Sequence, residues 1–431
     1  MTLDYTLICF NEDRQKDRHV QGISKSELQG GQSISQIGTW MQRTGVSWVV
    51  YTTTHSTFML GLSVFASQFP SFLFSLYGGA IADRYNRYKI MLITQSAALV
   101  QAVLLAVLTL TNHYAIWQIL TLSVVLGIIN AFDLPARMPL VHEIINNKDD
   151  LSNALAFNSS MNNFARLVGP ALSGIVLQKF GAGICFLLNA VSFVAVILSL
   201  ILMKLPAYTP VPVKKKFKAE LIEGLAYLKN TPAISMSLLL LAVISLFVLP
   251  YNTLLPVFAK VVFKGDAATF GYINSFIGLG AIIGTFFLAS LKPGANLKKV
   301  LLVNTIILGI GLILFSHAGY FPIAMLFAVI AGFGTQSQTS VCSTIVQAES
   351  DKNMRGRVVS YLAMAAYGML PLGSLLIGAV SKQIGAPASI LCQGIAALII
   401  IAIFSKFLRQ EKLDKKEMEI LSETDLVIER V

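Results

Sequence analysis

The chain has 431 residues, of which 55% are hydrophobic and only 13% charged. A soluble domain carries about 25% charged residues, so the composition excludes a protein with enough polar surface to stay in water. The net charge of +11 does not point to nucleic acid. Lys and Arg gather in alternate loops, the pattern of cytoplasmic loops in membrane proteins, and neither a nucleic-acid motif nor interleaved aromatics accompany them.

Residues 1–32 form a polar N-terminal tail, and residues 1–28 lack the apolar stretch of a cleavable signal peptide. Apolar blocks then follow one another, each long enough to cross about 30 Å of hydrocarbon as a helix. Each must be helical, because lipid offers nothing to hydrogen-bond an exposed backbone. The predicted spans are 33–54, 57–82, 89–111, 114–136, 152–178 and 181–203, then 233–262, 268–291, 298–318, 320–345, 357–381 and 386–408. The expected fold class is therefore all-α integral membrane, with twelve transmembrane helices. Connections such as Thr54-His55-Ser56 and Asn112-His113 are tight, so successive spans are expected to be antiparallel neighbours.

The polar segment 204–232, with Pro206, Pro210 and Pro212, divides the spans into six-helix halves at 33–203 and 233–408. It reads as a cytoplasmic linker. Its basic cluster Lys214, Lys215, Lys216 and Lys218 suits anionic membrane lipid, and Lys218 to Leu228 is expected to form a short amphipathic surface helix. Residues 409–431 are a second cytoplasmic tail. With the amino terminus inside, most of the 33 basic residues are cytoplasmic and only Lys179, Lys260, Lys264 and Lys382 face out. Both termini are therefore expected in the cytoplasm, with the protein in the cytoplasmic (inner) membrane. Gly169, Gly174, Gly181 and Ala182 recur 204 residues later as Gly373, Gly378, Gly385 and Ala386, which suggests duplication.

Between the second and third spans runs Gly79-Ala80-Ile81-Ala82-Asp83-Arg84-Tyr85-Asn86-Arg87-Tyr88-Lys89. It resembles the loop signature of the major facilitator superfamily, with Asn86 where a second glycine is usual. Asn tolerates a left-handed turn, so the loop is expected to form. Further stretches are Asp133-Leu134-Pro135-Ala136-Arg137, Ala165-Arg166-Leu167-Val168-Gly169-Pro170-Ala171, Gly38-Thr39-Trp40-Met41-Gln42 and Met354-Arg355-Gly356-Arg357-Val358. Together they resemble the enterobactin-exporter-like branch of that superfamily, over about residues 31–408. The resemblance implies alternating access, proton-driven export, and a cytoplasmic latch of Gly79, Asp83, Arg84 and Arg87 closing on the start of the eleventh span near Arg357. Asp133 and Arg137, one turn apart, either join that latch or pair with each other.

A charge at the bilayer centre costs about 2.5–3.5 kcal/mol and normally faces a partner or cavity. Arg43 and Arg166 are such residues. Gln36, Trp40, Arg43 and Tyr51 fall on one stripe of the first span, with Gln42 close by, and Asn158, Asn162 and Arg166 recur at one face of the fifth. Two polar faces centred on guanidiniums suit an anionic or polar substrate; the alternative is structural hydrogen bonding within the same half. Pro250-Tyr251-Asn252 breaks the seventh span, and Thr335, Gln336 and Gln338 make the tenth polar, so Tyr251, Asn252 and Gln336 are candidate cavity lining.

No P-loop, Ser/His/acid grouping or metal-ligand spacing occurs, so no enzyme activity, cofactor or metal is expected. Cys9, Cys185, Cys342 and Cys392 read as small hydrophobes. The glycine run Gly278 to Gly284 lies inside an apolar span and reads as helix packing. The cargo expected is an anionic siderophore or an amphipathic drug; an uptake carrier and a non-transporting membrane sensor or scaffold stand as alternatives.

Overall fold

The computed structural model of the protein describes residues 30–144, 148–202, 217–292, 294–351 and 354–405. Residues 1–29 of the predicted N-terminal tail at 1–32, the predicted tail at 409–431, and Lys214, Lys215 and Lys216 of the basic cluster lie outside the described residues, whereas 30–32 are helical and open the first helix. Among the described residues every regular element is helical, and ten stretches are long and apolar enough to cross a membrane. A further helix, α1, covers 30–54 and carries the polar stripe of the first predicted span.

Helices α2 (Thr57–Arg84) and α3 (Arg87–Leu110) follow the expected spans within a few residues. The tight connections form because His55 and Asn112 adopt left-handed φ values of 49° and 54°. Helix α4 (Ile116–Ile144) runs past the predicted end at 136. Pro135 reads as a stop in sequence, yet a proline inside a span is tolerated where neighbours meet the backbone group it frees. The carbonyl freed by the missing Pro135 N–H is that of Ala131, and it faces Gly78 so closely that a Cβ there would lie 1.9 Å from it.

The continuous helix Lys148–Leu202 is two spans in one, because Gly181 breaks it with φ 81° and ψ 175°. Its parts are α5 (148–180) and α6 (182–202). The expected linker helix is present as α7 (Phe217–Asn230). The seventh span starts as α8 (Pro232–Phe247), tightens to a 3₁₀ segment at Leu249–Leu254 around Pro250, and ends in a π-turn at Phe258–Val262. Then come α9 (Ala267–Ala289), α10 (Leu297–His317) and α11 (Phe321–Glu349). Helix α12 (Arg355–Ala363) passes through a π-turn at Met364–Gly368 into α13 (Met369–Ile384), and α14 covers 386–405.

Two units are distinguishable by their contacts. The first gathers 30–55, 66–202 and 265–275, and the second gathers 56–65, 217–264 and 276–405. In the first, Ala82, Met91, Ala136, Leu140 and Leu200 form one apolar core, and Ala98, Ala102, Ile129, Ala190 and Phe193 another. The opening turn of α9 packs here on α5: a Cβ on Gly174 would lie 2.7 Å from the Ala267 carbonyl. In the second, the opening turn of α2 packs on α13, where a Cβ on Gly378 would lie 2.6 Å from the Thr57 carbonyl. Thr57 Oγ1 donates to the Gly378 carbonyl at 2.9 Å. The glycine run in α9 packs as expected, with Gly280 against the Val329 carbonyl. Cys185 and Cys342 are buried, but Cys392 is exposed, contrary to the expectation of a buried hydrophobe.

Candidate transport site and gate

In the first unit the two predicted polar faces meet. Gly169 on α5 allows the approach, since a Cβ there would lie 2.6 Å from Trp40 Cβ. Gln36 Nε2 donates to Asn158 Oδ1 at 3.2 Å. Above that bond, Trp40 is shared by two cations: the Arg43 guanidinium lies 5.3 Å from the indole centroid and that of Arg166 lies 5.9 Å from it. Each contact is attractive because the ring face is electron-rich. A single indole is thus contacted by two cations, one from α1 and one from α5. Asn162, on the same face of α5, is exposed.

Gln42 is placed elsewhere. It is buried, donates from Nε2 to Gln101 Oε1 at 3.1 Å and accepts from Asn189 Nδ2 at 2.6 Å. Its amide ties α1 to α3 and α6, which is structural work inside the unit. Tyr51 is buried as well. Gln101 and Asn189 did not stand out in the sequence, although isolated amides inside apolar spans are the signal that marks them.

Inside α4, Asp133 is only 2% exposed. Its Oδ1 accepts from Thr94 Oγ1 at 2.9 Å and Gln95 Nε2 at 2.8 Å, while Oδ2 forms a salt bridge with Arg137. Of the two readings for Asp133 and Arg137, mutual pairing is the arrangement present, and Thr94 and Gln95 complete it. Gln95 Oε1 and Arg137 Nε are buried in the same cluster with no protein partner, which fits an ordered water there.

In the loop between α2 and α3, Arg87 lies 3.6 Å from Asp83 and donates from Nε to the Ala82 carbonyl at 3.1 Å. Asp83 is 59% exposed, so the pair contributes little stability. Arg84 is exposed. Asn86 corrects the expectation of a left-handed turn. Its φ and ψ are −60° and 112°, and its side chain caps α3 by accepting from the Tyr88 and Lys89 amides. Asn serves here through its side-chain oxygen, the ordinary N-cap role. Gly79 has open space where a Cβ would stand; the glycine required for close packing is its neighbour Gly78.

In the second unit, Tyr251 is 1% exposed, with its hydroxyl 3.3 Å from Thr335 Oγ1. Asn252 and Gln336 are half-buried; Gln336 Nε2 donates to Ser340 Oγ at 3.0 Å. Arg357 is held by Glu223 of the linker helix at 2.7 Å, a partner that the sequence did not reveal. No group of three or more His, Cys, Asp or Glu that could hold a metal occurs among the described residues.

Ten helical stretches of membrane-spanning length and apolarity make this a polytopic helical membrane protein. The profile of the MFS_3 family, transmembrane secretion effectors, matches residues 30–428. The chain belongs to that family, in the enterobactin-exporter-like branch of the major facilitator superfamily: it is a multi-pass membrane protein that exports small molecules, and not an enzyme. It is 28% identical to the staphyloferrin A transporter of Staphylococcus aureus over 387 residues, covering 88% of this chain and 95% of that one. It is 25% identical to the enterobactin exporter EntS of Shigella boydii, covering 80% and 82%, and 21% identical to the multidrug efflux pump Tap of Mycolicibacterium fortuitum, covering 86% and 92%. Among solved structures, a nucleoside transporter superposes with a TM-score of 0.72 at 14% identity, covering 89% of this chain and 99% of that one. A POT family transporter in complex with 5-aminolevulinic acid does so with a TM-score of 0.71 at 13% identity, covering 89% and 95%.

Proposed function

We propose that the chain exports an anionic siderophore by alternating access, driven by protons. Its architecture in this reading is twelve transmembrane helices in two six-helix halves, inserted in the inner membrane with both termini and the linker in the cytoplasm. The break at Gly181 makes two spans of one long helix, and α1 adds the first, which supports the count.

The observation that carries the substrate class is the pair of guanidiniums, Arg43 and Arg166, held over the single Trp40 ring. A carboxylate or phenolate cargo would accept charge-assisted hydrogen bonds from them. Gln36 and Asn158 extend the polar face below them, while Asn162, Asn252 and Gln336 are the further lining residues in this reading. Asp83, with Arg84 and Arg87, acts as the cytoplasmic latch toward the start of α12 near Arg357. Asp133 and Arg137 hold the α3–α4 end rigid beside it. Efflux of amphipathic drugs is the second reading, favoured by the aromatic centre of the site and by the likeness to Tap.

The test follows iron-chelating metabolites in a deletion strain of the source organism, with the gene restored in intact or altered form. Intracellular build-up reversed by the intact gene, but not by Arg43→Gln or Asp83→Ala made in normal amounts, supports the proposal. Unchanged distribution of chelators removes the siderophore assignment. Full transport by Arg43→Gln removes that residue from the site.

A further inference from the structure

One face of α11 changes character halfway along. Positions 322, 326, 329, 333, 336, 340, 343 and 347 recur at alternating intervals of four and three, and so share that face. Pro322, Leu326, Val329 and Phe333 occupy its first half, and Gln336, Ser340, Ser343 and Gln347 its second. None of the last four is buried. About twenty residues of helix cross the hydrocarbon. Counted from Phe321, where this membrane-spanning helix begins, the stretch through Ser340 therefore lies at hydrocarbon depth. Lipid offers a glutamine amide no partner, so a partly exposed one at that depth faces water or a polar molecule. The internal repeat does not dictate the switch: Phe132, Ala136 and Pro139 stand 204 residues before Gln336, Ser340 and Ser343.

The four polar residues form two mirrored pairs. Gln336 Nε2 donates to Ser340 Oγ at 3.0 Å, one turn ahead, and Gln347 Nε2 donates to Ser343 Oγ at 2.8 Å, one turn back. Beside them, Thr339 and Thr344 donate to the Thr335 and Ser340 carbonyls at 2.9 Å. The serines instead receive, and among the described residues neither serine proton has an acceptor. Residues three apart are neighbours on a helix surface, so two hydroxyl donors stand side by side. Glu349, further along α11, is off this face and pairs with Lys298 at 3.8 Å.

We propose that Ser340 and Ser343 bind the cargo by donating their hydroxyl protons to its carboxylate or carbonyl oxygens. Gln336 and Gln347 are positioning residues: each fixes one hydroxyl so that its proton points away from the helix. The inference deepens the export reading and rests on it for direction. The Glu349 end of α11 is then cytoplasmic, and the serines meet the cargo as it enters.

The experiment uses the full chain with Cys9→Ser and Cys392→Ser, which leaves Cys185 and Cys342, both buried. In inside-out vesicles, Ser343→Cys is expected to react with a membrane-impermeant methanethiosulfonate carrying a sulfonate. Leu326→Cys, on the apolar half of the face, should not react. No reaction at Ser343→Cys, or reaction in right-side-out vesicles alone, overturns the proposal. A second measurement reads the hydroxyls. At Thr344→Cys the sulfonate reagent is compared with its trimethylammonium analogue, whose charged end offers no acceptor. Ser340→Ala with Ser343→Ala should slow the sulfonate reagent about threefold, the scale of a neutral hydrogen bond, and leave the cationic one unchanged. Ser340→Thr with Ser343→Thr should keep the parent ratio. An unchanged ratio in the alanine pair overturns the proposal, whatever Arg43→Gln does to chelator export. A lowered ratio, with no chelator retained in the deletion strain, supports the acceptor-binding pair and removes only the siderophore reading.

Discussion

Gly181 and Gly385 break their helices in the same way, with φ of 81° and 82°, at positions 204 residues apart. The likeness extends through the packing around them. Gly169 lies against α1 at Trp40, and Gly373 lies against the seventh span at Leu246 and Pro250. Gly127 approaches the Ser67 carbonyl of α2, and Gly332 approaches the Ile277 carbonyl of α9. Asn86 and Asn296 each cap the helix that follows, α3 and α10. These paired approaches turn the glycine spacing seen in the sequence into a structural repeat.

The two breaks should respond alike to substitution. An L-residue at positive φ with ψ of 175° or 161° sits in a region essentially reserved to glycine and costs about 1–3 kcal/mol, and neither glycine has a neighbour within reach of an added Cβ. Gly181→Ala and Gly385→Ala should therefore each lower the thermal midpoint of the purified protein by a similar small amount, additively in the double variant. A large drop in one and none in the other would show that the two turns are not equivalent.

Asp133 is the buried carboxylate with most to lose. It satisfies Thr94, Gln95 and Arg137 at once, and removing one member of such a pair leaves the other charge uncompensated, at about 3–5 kcal/mol for full burial. Arg137 keeps 25% exposure, so the lower end applies. Asp133→Ala should cut the amount of folded protein in the membrane sharply, and Asp133→Ala with Arg137→Leu should recover much of it. Failure of the double variant to recover would mean that Thr94 and Gln95 depend on the carboxylate more than Arg137 does.

Helices were readable in the sequence because apolar blocks of membrane-spanning length admit one backbone solution. The overrun of α4 was not, because Pro135 is a local stop signal while Gly78, whose bare Cα lets the α4 backbone pack at Ala131, lies on another helix. Both polar stripes, Gln36-Trp40-Arg43 and Asn158-Asn162-Arg166, were readable from helical period alone. Their sharing of Trp40 was not, since it depends on how closely Gly169 lets two helices approach. Gln42 looked like a member of the stripe by proximity, yet its rotation on α1 aims it at Gln101 and Asn189. Glu223 was invisible for the opposite reason: an acid in a polar linker ordinarily faces solvent, and Glu220 on the same helix offers the same signal.

Close backbone approach makes the opening turns of α2 and α9 sensitive to bulk. A Cβ on Gly61 would lie 2.3 Å from the Ser374 carbonyl, and one on Gly271 2.5 Å from the Pro170 carbonyl. Gly61→Val and Gly271→Val should each reduce transport at least about tenfold, since backbone cannot yield as a side chain does. Membrane insertion should persist, because the apolar length of each span is unchanged. Gly319→Ala, with open space around it, serves as the control and should transport normally. Normal transport by both valine variants would show that these crossings do not have to close during the cycle.

Trp40 should matter through the cations it holds. Each contact is worth about 0.5–1 kcal/mol at an exposed position such as that of Arg43, so losing the indole costs the folded protein little. Its effect on function should be larger, because both guanidiniums lose the one ring they share. Trp40→Phe keeps an aromatic face and should retain most chelator export, whereas Trp40→Ala should lose about as much as Arg43→Gln. In the Trp40→Ala background, adding Arg43→Gln should then change export little, the non-additivity expected of residues that act as a unit. Full additivity between Trp40→Ala and Arg43→Gln, measured by chelator retention at matched protein amounts, would separate the ring from the cation and leave Arg43 to act without it.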